Sequence, residues 1–512
     1  MKIAVLTPLP PVRSGIAGYS ALLLPALARR AEVTAVVNQE DFEPIPGVPV
    51  LTIGELRPRR AEFDHVVGQL GNNPYHEFVW AEAMEHPLHA VLHDLVLHHL
   101  VVERTLARGK AEEYEALLRE SDGELGAAFA RGRAAGLHAE LGNFLFPASA
   151  ELARRSRGVI VHDRWAADQL RERGVEVPIV VVGHPYDEAA PIPTDEEREA
   201  LRRRLGYGET DRVIGMFGFV TSTKRPEVVF EAFAAAARRD PALRLLIVGQ
   251  PAPNVDLAAL ASRYGVPAER WSATGWVADE EFDRYLAAVD RVVNLRYPSA
   301  GEMSGTLVRA LRVGRPVAVS ELGQFAELPR EIVTRIPLDA TETDALAAFM
   351  TSGLESGPLA EAGRAWLEAH GALDRVVDGY LRALGGADEV PRAGAAVPRA
   401  MPLLPRIAVS RLDARPAPAG WSLSMTLRNE GDALHRAAVF GEPSLRLIVK
   451  MFRRERVVAD RWLALAGDLA PGASADLETA LAAPPDADRV AIWTAMSEIP
   501  YLDGPPIADL AL

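Results

Sequence analysis

The chain of 512 residues carries 56 Lys and Arg against 70 Asp and Glu, a formal net charge of −14 at pH 7, which argues against a mainly electrostatic nucleic-acid binder. It has no cysteine, so disulfides, zinc–thiolate sites, iron–sulfur clusters and cysteine nucleophiles are excluded. At roughly 150 residues per domain the length predicts three or so domains, and 48% hydrophobic with 25% charged residues is the mix of a protein with sizeable cores.

Met1 to Leu6 runs straight into a Pro-rich turn. That stretch is too short for a signal peptide and reads as a buried first strand. No run reaches about 18 apolar residues, so no membrane-spanning helix is expected. Further apolar, β-branched runs predict strands over 3–6, 33–37, 65–67, 89–92, 159–161 and 179–182. A second set falls at 213–216, 245–248, 291–295 and 317–320. They are apolar throughout, as strands covered on both faces should be. Amphipathic segments predict helices over 20–30, 165–173, 226–239 and 305–313, giving α/β domains with right-handed crossovers.

Ten strands are too many for one open sheet, and Gly183-His184-Pro185-Tyr186 with the Pro-rich acidic stretch after it marks a break. The expectation is two doubly wound Rossmann-like domains, 1–188 and 189–384, with a ligand cleft between them at the strands' carboxyl ends. A flexible linker is expected over 385–403. Beyond it the period becomes two: Trp421, Leu423, Met425 and Leu427, then Leu445, Leu447 and Val449, then Val490, Ile492 and Thr494. Turn signals at 429–432, 471–472 and 484–486 separate them, so 404–512 is expected to be an antiparallel β-sandwich.

Six segments at strand ends could carry chemistry. In Ser14-Gly15-Ile16-Ala17-Gly18-Tyr19, Gly15 and Gly18 let a phosphate or sugar approach a helix N-terminus; a plain turn is the bland alternative. Gln69 to His76, with Asn72 and Asn73, offers amides and a His suited to hydroxyls, and is also a turn signal. His93-Asp94 ends the fourth strand, with His98 and His99 nearby; a cleft-facing His is preferred to a metal cluster, as no known ligand spacing matches, and a capped structural His is the equal alternative. Asp163 reads as the N-cap of the next helix. Lys224-Arg225-Pro226 opens a helix, where two cations beside a positive helix end would hold a diphosphate. Most informative is Asn294 to Leu311, followed by Gly314-Arg315-Pro316-Val317. The amides near Ser304, Gly305 and Thr306 would form an anion site, with the Glu302 carboxylate beside it for sugar hydroxyls.

Gly301-Glu302-Met303-Ser304-Gly305, Ala310-Leu311 and Gly314-Arg315-Pro316-Val317 together resemble the donor-binding signature of family 4 retaining glycosyltransferases of the GT-B fold. Lys224, six residues after Gly218, resembles that family's diphosphate lysine, and Ser14 to Tyr19 its N-terminal glycine loop. Trp276 and the helical segment 279–290 resemble the stretch before its donor loop. The tail 359–384 resembles its return helix, which packs on the first domain. The resemblance covers residues 1 to about 384. The C-terminal β-rich part resembles sandwich modules appended to bacterial polysaccharide-synthesis transferases. Two departures stand out. Arg309 occupies the place of the family's second, ribose-binding glutamate, in a loop one residue shorter, and Phe219 stands where the family has an arginine. Arg225, Arg296 or Arg309 is expected to supply that missing cation.

The resemblance implies a nucleotide sugar as donor, a glycan, lipid-linked or small-molecule acceptor, retention of anomeric configuration, and no metal or resident cofactor. Lys224, Arg225, Arg296, Arg309 and the amides of Ser304, Gly305 and Thr306 would hold the donor with Gly15 and Gly18. His93 would bind the transferred sugar near its anomeric carbon and Glu302 its hydroxyls. Asn72, Asn73 and Asp94 would line the acceptor side. Lys224→Ala or Glu302→Ala is expected to cost orders of magnitude in transfer with stability nearly unchanged. The other readings are a catalytically weak scaffold or sugar-binding subunit, and a GT-B epimerase or phosphorylase. The expected location is the cytoplasm, with peripheral contact to the inner membrane face; Arg453, Arg454 and Arg456 would either touch anionic lipid there or form a solvated strand edge.

Overall fold

A computed structural model describes residues 1–134, 140–338, 341–353, 356–391, 406–431, 445–465, 467, 469–496, 499–500 and 506–512. The chain divides into two compact units, Met1–Leu100 with Leu152–Ala393, and Val101–Glu151 with Gly394–Leu512.

The first unit holds two parallel sheets. The N-terminal one contains β1 (Lys2–Leu6), β2 (Glu32–Val37), β3 (Val50–Thr52), β4 (His65–Leu70), β5 (His89–Leu92), β6 (Gly158–Val161) and β7 (Ile179–Val181). Their order is β3-β2-β1-β4-β5-β6-β7. The second contains β8 (Arg212–Phe217), β9 (Leu243–Val248), β10 (Trp271–Ala273), β11 (Arg291–Asn294), β12 (Val317–Ser320) and β13 (Thr334–Ile336), in the order β10-β9-β8-β11-β12-β13. All ten expected strands are present within a few residues of the expected bounds. The additional ones, β3, β10 and β13, are three-residue strands at sheet edges. Each has a single neighbour and needs no long apolar run.

Each sheet reverses its strand order once, between β1 and β4 and between β8 and β11. Those reversals open crevices at the strands' carboxyl ends, where ligands of such folds bind. The glycine loop and Gln69–His76 segment leave β1 and β4; the Lys224 and Glu302 segments leave β8 and β11. The first helix, Gly15–Ala28, begins five residues before the sequence expectation, because Ser14 caps it and Gly15 and Gly18 lie inside its first turns.

The return segment is two helices. Ser356–Gly371 packs on the helix Gly305–Val313 of the second domain, whereas Leu373–Leu384 crosses to β6, β7 and the helix Gly15–Ala28. Val376, Val377, Tyr380 and Leu384 share a core there with Ile3, Val5 and Leu23. The chain thus passes between the domains twice, and the two passages touch backbone to backbone. A Cβ on Gly183 would overlap the His370 carbonyl oxygen, and one on Gly371 would lie 2.6 Å from that of His184. Gly183→Ala should therefore destabilise the protein by about 2–3 kcal/mol, read as a lower denaturation midpoint; an unchanged midpoint would show that the crossing is not tightly packed.

Residues 385–391 are ordered against β7. The Asp388 carboxylate accepts from Arg171 and from the Ile179 amide at 2.5 and 3.1 Å, and the Glu389 amide donates to the Ile179 carbonyl at 3.0 Å. This part of the expected linker continues the first unit; residues 392–403 lie outside the described residues.

In the second unit, β14 (Ile407–Ala417), β15 (Gly420–Asn429), β16 (Leu445–Arg453), β17 (Arg456–Ala464), β18 (Ser474–Leu481), β19 (Arg489–Met496), β20 (Ile499–Pro500) and β21 (Ala508–Ala511) form two antiparallel sheets. Trp421, Leu423, Met425 and Leu427 face a shared core with Leu445, Leu447, Val449, Val490 and Ile492. This is the inward alternation of a β-sandwich. Asp432, in an expected turn, lies outside the described residues. Arg454 and Glu455 both have positive φ, 48° and 66°, and form the two-residue turn of the β16–β17 hairpin. Arg453 beside it pairs with Asp486 at 3.1 Å. The helical segment Ala111–Ala134, kinked at Gly123 with a φ of 70°, which the sequence reading placed in the N-terminal domain, runs beside β20 in this unit.

Candidate active site

The second-domain wall is built around Gly218, where β8 ends. Its φ of +83° suits glycine, and a Cβ there would lie 2.6 Å from Lys224 Nζ and 3.6 Å from Thr306 Oγ1. Lys224 and Thr306 thus converge on one bare stretch of backbone. Lys224 Nζ donates to the Phe217 carbonyl at 2.6 Å. Thr306 lies in the first turn of the helix Gly305–Val313, capped by Ser304, whose hydroxyl accepts from the Leu307 amide at 3.3 Å. The first amides of a helix have no intrahelical acceptor and carry partial positive charge. Around Gly305 the space is open: a Cβ would meet nothing within 4 Å.

Beside Lys224 sits Arg296. Its guanidinium donates to Glu302 Oε1 at 2.9 Å and to the Leu295 carbonyl at 2.8 Å. Glu302 Oε2 accepts from the Ala300 amide at 2.9 Å and the Ser299 hydroxyl at 3.2 Å. Burial and the neighbouring Arg296 charge push the Lys224 ammonium well below the usual lysine range, against the pull of Glu302. Around the Glu302 carboxylate stand the buried Arg296 and the part-buried Lys224, so an anion bound beside them would favour the charged lysine.

Of the three arginines offered for the missing cation, Arg296 is the one whose charge acts on Lys224. Arg309 turns the other way, onto Asp283 at 2.6 Å and Asp279 at 2.5 Å, over the Phe282 ring. Arg225 is held by Glu342 and lies over Tyr297. Both expectations for a donor contact meet side chains already engaged by carboxylates. Glu302 is likewise no simple surface carboxylate. Removing it would leave Arg296 buried without its ion pair, so the expectation of unchanged stability for Glu302→Ala is corrected: a loss of about 3–5 kcal/mol is now expected.

On the first-domain wall, Gly15 and Gly18 are bare, with nothing within 4 Å of a Cβ at either position. Asp94 accepts from the Asn72 amide at 2.7 Å. Burial and the Glu302 charge push its carboxyl up to about 7. The domains meet here. The Val96 amide donates to the Ala300 carbonyl at 2.9 Å, and a Cβ on Gly301 would lie 2.7 Å from Leu95 and 2.9 Å from the Trp165 ring. The fold therefore brings Asp94 and Glu302 together from separate domains.

Other expected residues serve the scaffold. Asn72 Oδ1 accepts from the His99 and Leu100 amides at 2.9 and 3.2 Å, and Asn73 Oδ1 from the Tyr75 amide at 3.0 Å; both carbonyls are caps. Asp163 caps its helix as expected, accepting from Ala166 at 2.7 Å. His93 is buried, with Nε2 2.6 Å from Gln69 Oε1 and Nδ1 3.1 Å from His162 Nε2. Both its nitrogens are engaged by protein, so a direct sugar contact through either would require a partner to move. His98 is fully buried. Among the described residues the group of carboxylates and His gathered closely enough for a cation is Glu82, Glu85 and His86, not the His93 segment. Glu82 is paired there with Arg57 and Arg60.

Two further features remain: the histidine expected in the Gln69 segment to suit hydroxyls, and a contact that carried no assignment from sequence. His76 Nδ1 donates to the Gln69 carbonyl at 2.9 Å, while its buried Nε2 has no hydrogen-bond partner and burial pushes the ring down to about 4. The signal was its place at the end of the Gln69 segment. The Arg13 guanidinium, from the first domain, lies 4.8 Å from the ring centre of Trp276 in the second. Phe219 and Trp276 are 55% and 58% exposed, unusual for side chains of that size.

Two Rossmann-like domains facing across strand ends, joined by a return helix, are the GT-B fold of glycosyltransferases. Residues 211–356, which carry the second sheet and the Lys224–Glu302 wall, match the family described as "Glycosyl transferases group 1", which supports a group 1 glycosyltransferase. The chain is 27% identical over 210 residues to a D-inositol 3-phosphate glycosyltransferase of Segniliparus rotundus, covering 38% of this chain and 45% of that protein. It is 30% identical over 167 residues to one of Nocardia farcinica, covering 30% and 36%. It thus spans less than half the length of either relative. In fold it resembles Anabaena Alr3699/HepE, crystallised with UDP and glucose, with a TM-score of 0.53 at 16% identity over 75% of this chain and 99% of that one. No helix among the described residues is long and apolar enough to cross a membrane.

Proposed function

We propose that the chain is a retaining glycosyltransferase that moves a sugar from a nucleoside-diphosphate donor to a hydroxyl of a glycan, lipid-linked or small-molecule acceptor, without a metal ion or resident cofactor. The observation that carries this reading is the convergence of part-buried Lys224 and buried Arg296, the latter paired with Glu302, beside a capped helix N-terminus. In the proposed reaction the acceptor oxygen bonds to the anomeric carbon from the face the diphosphate leaves. The bond from that carbon to the phosphate oxygen breaks, and the hydroxyl proton passes to the departing oxygen. Lys224, Arg296 and the first amides of the Gly305–Val313 helix stabilise the charge that develops there, the contribution that usually dominates such catalysis. Glu302 and Asp94 face each other where sugar and acceptor hydroxyls would meet, and the Leu95–Gly301 contact limits entry of water.

The relatives' names make a phosphorylated polyol the first acceptor to try, and the HepE complex makes UDP-sugars the first donors. The reaction would take place in the cytoplasm, with any lipid-linked acceptor met at the inner membrane face. The test is a thermal-shift and mass-spectrometric screen of UDP-, GDP- and dTDP-sugars on wild type and Lys224→Ala. One nucleotide class should raise the melting temperature of the wild type alone and be consumed when acceptor is present. If no nucleotide sugar binds, or if the variant responds equally, the proposal fails.

A further inference from the structure

Behind the cleft runs a row of buried polar side chains that the proposed reaction does not use. The Tyr19 and Tyr380 hydroxyls are 2.8 Å apart. The Tyr380 hydroxyl lies 3.2 Å from Gln69 Nε2 and 3.5 Å from Oε1. The Gln69 carboxamide reaches His93 Nε2 at 2.6 Å, His93 Nδ1 lies 3.1 Å from His162 Nε2, and His162 Nδ1 lies 2.9 Å from the Val182 carbonyl oxygen. None of the five side chains is more than 8% exposed. The row links β4, β5 and β6 to the helix Gly15–Ala28 and the crossing helix Leu373–Leu384.

The protons in this row can be counted. A carbonyl oxygen only accepts, so His162 Nδ1 donates to Val182. A neutral His162 then accepts at Nε2, so His93 Nδ1 donates, and a neutral His93 accepts at Nε2. Gln69 must therefore turn its nitrogen to His93 and its oxygen to Tyr380, a half-turn of the amide plane. Tyr380 donates to that oxygen and accepts from Tyr19. Every group is satisfied and all bonds run one way. With the amide oxygen toward His93 instead, two rings must carry three protons, and one becomes an imidazolium. The groups facing the pair are Tyr19, His184 and His76, and Asp94 follows His93 in the chain. The first three carry no negative charge, and burial and the Glu302 charge favour the protonated Asp94 carboxyl, so the surroundings select the neutral row.

We propose that Tyr380 is a positioning residue: by donating to Gln69, it holds His93 and His162 in the neutral Nδ1–H form beneath the strand end that carries Asp94. The crossing helix must then be docked for the first-domain wall to keep its charge state. With no cation in the row, Asp94 has only its amide contact to favour ionisation and retains a proton near neutral pH. This last step rests on the acceptor-side reading of Asp94 given above.

The test uses full-length protein labelled with 15N in the histidine rings. At pH 7 the wild type should show His93 and His162 neutral and protonated at Nδ1, the less common form of free histidine. Tyr380→Phe removes the O–H that holds the amide; the pair should then titrate about one pH unit or more higher. The acid limb of the transfer profile should move the same way. Tyr19→Phe, which leaves Tyr380 free to donate, should keep the wild-type ring states. A wild-type His93 protonated at Nε2, or a Tyr380→Phe titration equal to the wild type's, overturns the inference; the wild-type spectrum decides it if the variant does not fold. Ring states as expected in a protein that consumes no nucleotide sugar would instead refute the proposed function and leave the row intact.

Discussion

Lys224→Ala should slow sugar transfer by roughly 10²–10³-fold, the usual cost of removing one preorganised group that stabilises a developing anion. Its thermal midpoint should equal or exceed that of the wild type. Lys224 is part-buried, its ammonium is disfavoured by desolvation and by Arg296, and its hydrogen bond is to a single carbonyl oxygen. Without a bound anion, the folded protein therefore pays a desolvation cost that alanine removes. The same argument gives a pH dependence. Diphosphate binding restores the Lys224 charge, so binding above the depressed pKa takes up a proton, and affinity falls as pH rises through that value. Calorimetry in buffers of different ionisation enthalpy reads the uptake. A variant with normal transfer, or binding without proton uptake at any alkaline pH, would place the diphosphate elsewhere.

Glu302→Ala separates the two halves of the wall. It should also abolish transfer, but with a lowered midpoint, because Arg296 then remains buried without its carboxylate. The pair of variants distinguishes a group whose charge is poised for a ligand from one whose charge the fold itself requires.

How far the site was legible follows from what each residue answers to. Gly218, Lys224, Glu302, Ser304 and Thr306 follow directly from strand ends and helix starts, and local sequence marks those. Arg309 and Arg225 stand at equally suggestive positions, yet their guanidinium groups are claimed by Asp279, Asp283 and Glu342. Those partners belong to other elements, so only packing could reveal them. Asn72 and Asn73 carry the chemistry of hydroxyl recognition and of capping alike, and the fold uses their carbonyls for the second. In the fold, buried strands were legible from unbroken apolar runs such as Leu245–Val248. The edge strand Trp271–Ala273 was not, since partly exposed residues there need no such run. The joining of Val101–Glu151 to the β-rich unit left no local trace, because it links segments far apart in the chain.

Acid should unfold the first unit well before it affects most proteins of this size. Burial pushes His76 and His89 down to about 4, His162 to about 3, and His93 and His184 below the ordinary value. A histidine with a depressed folded pKa contributes its full stability above the unfolded value near 6.5. It loses roughly 1.4 kcal/mol per pH unit as pH falls from there toward the folded value. Asp94 and Asp163 act in the opposite sense. Burial raises both to about 7, so their destabilising charge is relieved as pH falls from 7 toward the unfolded carboxylate range. Burial also lowers His65 and raises Glu327, so six histidines losing against three carboxyls gaining leave a net loss below about pH 6, and it should continue to about pH 4. Calorimetric melting between pH 7.5 and 4 should show a midpoint that is flat or slightly rising down to about 6.5 and then drops steeply. Every histidine just named lies in the first unit, so the tertiary signal lost should be that of the α/β domains. Constant stability down to pH 5 would mean that these rings are not held neutral, and the one-way row from Tyr19 to Val182 would lose its physical basis with them.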